Sequence, residues 1–207
     1  MALFQETYLK NIAKQRINSD RRYSNQGYAR DSVQKSLLSE SKERFNAGNR
    51  NFDIFLSHSF SDKDILLGLK TNLESYGYTI YVDWIEDYGM DRINVTADNV
   101  YWIKQRMKAS KCLLYAASSN SSHSKWMPWE TGYMDGFTGK VAIIPVVTSF
   151  QTTYKGVEYL GSYPYVDEEK MQDSSVTKLW VTSQEDRSQY VQFDYWINGS
   201  DLMHHSR

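Results

Sequence analysis

From residue 50 onward the sequence predicts an open α/β sheet, parallel strands flanked by helices. Three observations predict it. Short apolar runs alternate with stretches of helical periodicity, the order expected of right-handed strand–helix–strand crossovers. The run Lys111-Cys112-Leu113-Leu114-Tyr115-Ala116-Ala117 is apolar on both faces, as a parallel strand covered by helices must be. Glycine and Ser/Asn-rich turns separate the segments at the spacing such units need.

The elements follow in chain order. Residues 1–49 read as a helical amino-terminal extension of two amphipathic helices. Phe4, Tyr8 and Ile12 mark the first, and Val33, Leu37 and Leu38 the second, behind a cap at Asp31. Asn18-Ser19-Asp20 and Ala47-Gly48-Asn49 stop them. Residues 50–207 form the α/β domain. Phe52–Ser57 is a first strand, and Asp62 to Tyr76 a helix whose apolar face is Ile65, Leu66, Leu69 and Leu73, ended by Gly77. Thr79 to Asp83 is a second strand, followed by a polar loop from Trp84 to Asn94 and a helix from Val95 to Ala109. The third strand, a Ser/Asn loop over 118–125, a helix from Trp126 to Phe137 and a fourth strand, Val141 to Val147, complete the strong signal. Beyond it, Tyr163-Pro164-Tyr165-Val166 reads as a short edge strand, where proline is tolerated, and Asp186 to Asn198 as a closing helix around Tyr190, Phe193 and Trp196.

Composition narrows the function. The 207 residues carry a net charge of −1, which argues against a nucleic-acid partner, since counterion release needs a basic surface. That total is a cancellation: residues 1–50 hold ten Lys or Arg against five Asp or Glu, a net +5, and the remainder is −6. One cysteine makes no internal disulfide, no apolar run is long enough to span a bilayer, and Met1 to Lys10 has no apolar signal core, so a cytoplasmic protein without membrane attachment is expected. Cys112, mid-strand among apolar residues, reads as a buried thiol.

Ligands of open α/β sheets bind outside the carboxyl ends of the strands. Those ends here carry Ser57-His58-Ser59, then Asp83, then the Ser118–Ser124 loop with Ser119 and His123, and Glu130 lies one turn into the following helix. Hydroxyls and a helix amino terminus suit phosphate and ribose hydroxyls, and one carboxylate completes a pocket for a ribosyl compound. Each candidate also has an ordinary structural reading. Glu130 could be a solvated helix residue, Trp126 a core side chain, His58 a satisfied loop residue, Asp83 a loop anchor, and Ser119 and Ser124 turn and cap residues. His123 lacks metal partners at ligand spacing, so no metal is assigned.

Over roughly residues 50–198 the chain resembles the Toll/interleukin-1 receptor (TIR) domain family. The resemblance is carried by Phe52-Asp53-Ile54-Phe55-Leu56-Ser57-His58-Ser59, Ser61-Asp62-Lys63-Asp64, Gly77, the strand ending in Asp83, then Ile103, Met107 and Ser110, and finally Ser124-Lys125-Trp126-Met127-Pro128-Trp129-Glu130. It implies a flavodoxin-like open parallel sheet with helices on both faces. It also implies cleavage of NAD+ at the nicotinamide–ribose bond, NAD+ being a substrate with no cofactor required, and Glu130 as the catalytic carboxylate. Ser57, His58, Ser59, Asp83, Ser119, Ser124 and Trp126 are then substrate-binding candidates. Nicotinamide leaves without protonation, so the barrier is mostly developing oxocarbenium charge, which a carboxylate beside the sugar stabilises.

The bacterial members further imply antiphage defence of the Thoeris type, in which ADP-ribose or a cyclic ADP-ribose signal reaches a downstream effector, and homo-oligomers built through TIR–TIR contacts. Two features depart from the family. The loop after Asp83 is longer than usual, and Gly89-Met90-Asp91-Arg92 lacks the Gly-acid-Ser pattern of the segment that stacks one TIR domain on another. A non-catalytic TIR scaffold, acting by self-association and partner recruitment through the long loop and the basic arm, is an alternative. So is a nucleoside deoxyribosyltransferase-like enzyme, which Gly132-Tyr133-Met134-Asp135-Gly136 after Glu130 resembles.

Overall fold

The computed structural model describes residues 2–19, 51–82, 97–171 and 174–204. Asp83, the loop after it and the second amino-terminal helix expected around Val33, Leu37 and Leu38 lie outside the described residues. The elements are β1 (Phe4–Gln5), α1 (Glu6–Ser19), β2 (Phe52–Ser57), α2 (Lys63–Ser75), β3 (Ile80–Val82), α3 (Ala97–Lys108) and β4 (Ser110–Ala117). They continue with α4 (Trp126–Thr138), β5 (Val141–Val147), β6 (Tyr165–Lys170), β7 (Thr177–Thr182), β8 (Gln189–Gln192), α5 (Phe193–Ile197) and β9 (Met203–His204).

The sheet order is β3-β2-β4-β5-β6-β7-β8-β9, with β1 also paired to β5. Pairing is parallel from β3 to β6 and antiparallel beyond β6. The chain leaves β2 for β3 on one side and returns to β4 on the other. Strand order thus reverses between β2 and β4, and a crevice opens at their carboxyl ends.

Two-residue alternation along the strands sorts side chains into two cores. Ile54, Leu56, Cys112, Leu114 and Ala116 pack with α1 and α2 on one face. Phe55, Leu113, Tyr115 and Ile143 pack with Ile103 and Met107 of α3 and Met127 and Met134 of α4 on the other. Ser57 follows Phe55 by two residues and so belongs on the α4 side.

The amino-terminal segment is built into this sheet. Phe4 pairs with Val146 and Gln5 with Val147, while Ala2 exchanges hydrogen bonds with Glu168 at 2.8 and 3.0 Å. Helix α1 then crosses α2 so closely that a Cβ on Gly68 would lie 2.0 Å from the Leu9 carbonyl oxygen. Only glycine permits that approach. An ion cluster flanks the contact, Glu74 accepting from Lys70 at 2.5 Å and from Arg16 at 3.4 Å.

Three expectations are corrected. The buried stripe of α1 is Leu9, Ala13 and Ile17, not the Phe4/Tyr8/Ile12 stripe; Tyr8 is exposed. Phe4 is committed to β1, so the helix begins at Glu6 and its inward face starts one residue later than the sequence pattern indicates. Residues 165–170 form an interior strand rather than an edge. Pro164 lies just outside the ladder, contributing only its carbonyl, which accepts the Ile143 N–H at 2.9 Å. Residues 186–198 form strand β8 and the short helix α5 rather than one helix. Val191 pairs with Val181 of β7, a strand that carries no clear signal in the sequence.

Candidate functional site

Glu130 projects from the second turn of α4 into the protein and is 4% exposed. Met127, Glu130, Thr131 and Met134 share the inward stripe of that helix, which places a carboxylate where the helical period demands an apolar residue. A buried carboxylate is costly without partners. Ser57, at the carboxyl end of β2, supplies one: its hydroxyl donates to Glu130 Oε2 at 2.5 Å. That distance is in the range of a hydroxyl bonded to a carboxylate. Tyr115 is the cross-strand neighbour of Ser57 in β4 and is 2% exposed. Burial holds its hydroxyl above the ordinary tyrosine value; the Ser121 hydroxyl pulls it down, while Tyr159 and the Glu130 charge push it further up. Ser57, Tyr115 and Glu130 thus form one buried group at the strand-order reversal.

A second network stands beside it. Asp62 is 6% exposed and precedes α2, yet its carboxylate does not cap that helix. It accepts instead the Ser118 hydroxyl and, at 2.7 Å, the Asn120 side-chain amide. The loops after β2 and β4 are thereby tied together. Asp62 and Asn120 also line a cleft of about 540 Å³, together with Glu6 and Lys10 of α1, Phe60, the first turn of α2 and Ser119. Glu130 and Ser57 are not in its lining. The chain from Ser57 to Phe60 is three residues, at most about 11 Å, so an extended dinucleotide can reach from one to the other.

The remaining candidates are placed as follows. The His58 imidazole is part-buried, with Nδ1 3.1 Å from the Leu56 carbonyl oxygen, and burial pushes it down to about 4 against the opposing pull of that carbonyl and of Asp62. It is neutral at pH 7. Ser59 is 3% exposed, and its carbonyl accepts the Asp62 N–H at 3.0 Å. Ser119 faces the cleft. Ser124 is buried, its Oγ accepting the Met127 N–H at 3.3 Å, the contact of a helix cap. Trp126 is half-buried, edge-on to Trp129 at 5.5 Å, and packs against the α3/α4 core. The structure therefore brings Ser57 to Glu130 and Ser119 to the cleft, and gives Ser124 and Trp126 local structural contacts.

Sequence reasoning passed over Tyr115, Asp62, Ser118 and Asn120 as site residues. Tyr115 could have been found by aligning the ends of the two parallel strands, whereas the Asp62 tie depends on loop geometry that no local pattern encodes. Among the described residues no cluster of His, Cys, Asp or Glu has the makings of a metal site, and no helix is long and apolar enough to cross a membrane.

The family model described as TIR domain matches residues 54–180. A Bacillus cereus (strain MSX-D12) protein named "Probable 3' cyclic ADP-D-ribose synthase ThsB'" is 41% identical over 198 residues, 95% of this chain and 98% of its own length. A Cytobacillus dafuensis protein named "Putative cyclic ADP-D-ribose synthase TIR2" is 28% identical over 83 residues, 40% of this chain and 22% of that protein.

Proposed function

The chain belongs to the TIR domain family, and from that premise we propose that it breaks the nicotinamide–ribose bond of NAD+ and closes the freed ribosyl carbon into a cyclic ADP-ribose signal. The carrying observation is the buried Glu130 carboxylate held by the Ser57 hydroxyl at the strand-order reversal. As the C–N bond lengthens, nicotinamide departs as a neutral molecule with the bonding electrons, and positive charge spreads over C1 and the ring oxygen of the ribose. Glu130 stabilises that charge, and a preorganised carboxylate in a dry setting does so at little reorganisation cost. Ser57 sets the direction of the carboxylate.

Capture of the cation by a hydroxyl of the same molecule gives the cyclic product and releases one proton; capture by water gives linear ADP-ribose. The names borne by both relatives favour cyclisation, and the "3'" in one of them points to a ribose 3' hydroxyl as the nucleophile. The cleft at the Asp62 tie supports a seat for the adenylate half, since its lining combines the cationic side chains of Lys10 and Lys63 with the polar side chains of Ser119 and Asn120.

In this reading the protein acts in the cytoplasm in antiphage defence, self-associates through TIR–TIR contacts, and passes its product to an effector. Residues 1–49 are an extension whose described part, 2–19, packs on the domain formed by 50–207. The test is nicotinamide release from NAD+, with the product identified by chromatography against linear and cyclic standards. Glu130→Gln and Glu130→Ala should abolish turnover with the fold intact. Wild-type turnover in both variants refutes the assignment of Glu130. An NAD+-inert wild type that transfers deoxyribose between nucleobases supports the deoxyribosyltransferase alternative, and one inert to both supports the scaffold.

A further inference from the structure

The row of residues that holds Ser57 continues past Tyr115. Ser57 of β2 pairs with Tyr115 of β4, Tyr115 with Ile143 of β5, and Ile143 with Tyr165 of β6, on the face that α3 and α4 cover. A helix usually connects two parallel strands. Here the chain from β5 to β6 crosses the row as an irregular strap with one 3₁₀ turn, Glu158–Ser162. The Tyr154 ring lies 6.2 Å from that of Tyr165, and Leu160 is buried in the same core as Tyr115.

The strap is fastened at several points. Gln184, in the turn between β7 and β8, accepts the Gly156 N–H at 2.6 Å and donates to the Leu160 and Tyr163 carbonyls at 2.8 and 2.6 Å. Arg187 of the same turn donates to the Thr152 carbonyl at 3.3 Å. Gly156 lies so close to Leu160 that a Cβ there would be 2.6 Å from the Leu160 carbonyl carbon. Glu158 has φ 52°, a left-handed conformation that costs a non-glycine residue free energy and persists only where the surroundings impose it. It stands between two apolar side chains left in water, Val157 at 72% and Tyr159 at 43% exposed. Burial raises the Tyr115 hydroxyl, and Tyr159 and Glu130 both add to that rise, so each lies near the same hydroxyl. Burial and the Asp135 carboxylate of α4 hold the Tyr163 hydroxyl above its ordinary value, which sets the end of the strap against the helix that carries Glu130.

We propose that this strap is the wall that keeps water from the ribosyl cation formed beside Glu130, and that the Tyr159 ring, closing against the bound dinucleotide, sets how much of the product is cyclic. The inference rests on the NAD+-cleaving reading above and assigns control of its product to named residues. In either outcome nicotinamide leaves C1 with the bonding electron pair, and an oxygen then bonds to C1 and gives up one proton. A hydroxyl of the same molecule closes the ring, whereas water gives the linear product. The two captures compete for one cation, so a side chain that thins the water around C1 shifts their ratio. An aromatic ring suits the task, since it covers a large apolar area and offers a flat face to a base or to nicotinamide.

Product analysis tests the wall. The full-length wild type, Tyr159→Ala, Tyr159→Phe and Gln184→Ala, each checked for folding by circular dichroism, are incubated with NAD+ in buffer and with methanol added as a second external nucleophile. Nicotinamide, cyclic and linear ADP-ribose and the methyl adduct at C1 are quantified by chromatography with mass detection. Tyr159→Ala should raise the ratio of externally captured to cyclic product about 2- to 10-fold, the range expected for loss of one aromatic contact. Gln184→Ala should shift the ratio in the same direction with Tyr159 intact, because the strap is then unlatched. Tyr159→Phe, which keeps the ring, should hold the wild-type ratio. A folded Tyr159→Ala that partitions as the wild type does in both media overturns the role of the strap and leaves the NAD+ reading standing. So does a Tyr159→Phe as leaky as Tyr159→Ala, since the ring would then not be the barrier. A wild type that releases no nicotinamide, or that gives only linear product, overturns the cyclising reading and the wall with it.

Discussion

Replacing Ser57 by alanine separates two roles for that hydroxyl, contact with substrate or support of the carboxylate. The structure has it donating to Glu130 Oε2 at 2.5 Å with both residues buried. A hydrogen bond to a charged group contributes about 1.5–3 kcal/mol. If that energy holds the carboxylate in its reactive direction, its loss appears in the barrier, and about 1.4 kcal/mol corresponds to a tenfold rate change. Ser57→Ala should therefore lower kcat for nicotinamide release about 10- to 150-fold. KM should change little, since the lost interaction is with the enzyme's own carboxylate. Ser57→Thr, which keeps a hydroxyl, should recover much of the rate. The assay is initial-rate nicotinamide release over a range of NAD+ concentrations. A raised KM with unchanged kcat would refute the reasoning and place Ser57 on the substrate, and unchanged values of both would show that the hydrogen bond has no part in the chemistry.

Three further outcomes follow from packing and charge. Gly68→Ala places a methyl group 2.0 Å from the Leu9 carbonyl oxygen and must push α1 off α2, so the thermal midpoint should drop by about 2–8 °C, an overpacking cost partly offset by the better helix propensity of alanine. Burial pushes the Asp167 carboxyl up from 3.8 to about 7, with Glu169 adding to the rise and Thr182 and Arg187 opposing it. The native state then holds a proton that the unfolded chain releases, so stability falls as pH rises between about 4 and 7, by something on the order of 4 kcal/mol. Asp167→Asn should flatten that decline and make the protein more stable than wild type at pH 8 in denaturant titrations; a variant with the wild-type slope would show that Asp167 does not titrate in this range. The Cys112 thiol is 0% exposed, donates to the Asp53 carbonyl at 3.4 Å and is pushed well above the usual thiol range by burial, so an alkylating reagent should modify it only after unfolding, as mass spectrometry would reveal.

The legible parts of this protein are those whose signal is periodic and local. Strands β2, β4 and β5 and helices α2 and α4 stand where their apolar patterns place them, because each buries a stripe or a double face that no other conformation of the same residues would bury. The carboxyl-terminal third was harder to read. Strand β7 alternates weakly, as half-buried antiparallel strands do, and Tyr190 and Val191 are apolar in either conformation until their pairing with β7 decides for strand.

By itself the sequence determined a parallel α/β sheet, the strand ends and the helix that carry the candidate site, and through its motifs the TIR family with a glutamate at 130. Only the tertiary structure decided what those residues do to one another. The bond from Ser57 to Glu130 spans 73 residues and exists because the parallel pairing of β2 with β4 carries both onto one side of the sheet. The place of the amino terminus was likewise a tertiary matter. A basic segment with few apolar residues reads as an arm, yet its first residues pair with β5, and α1 closes onto Gly68, a contact between backbones that no pattern of side chains announces.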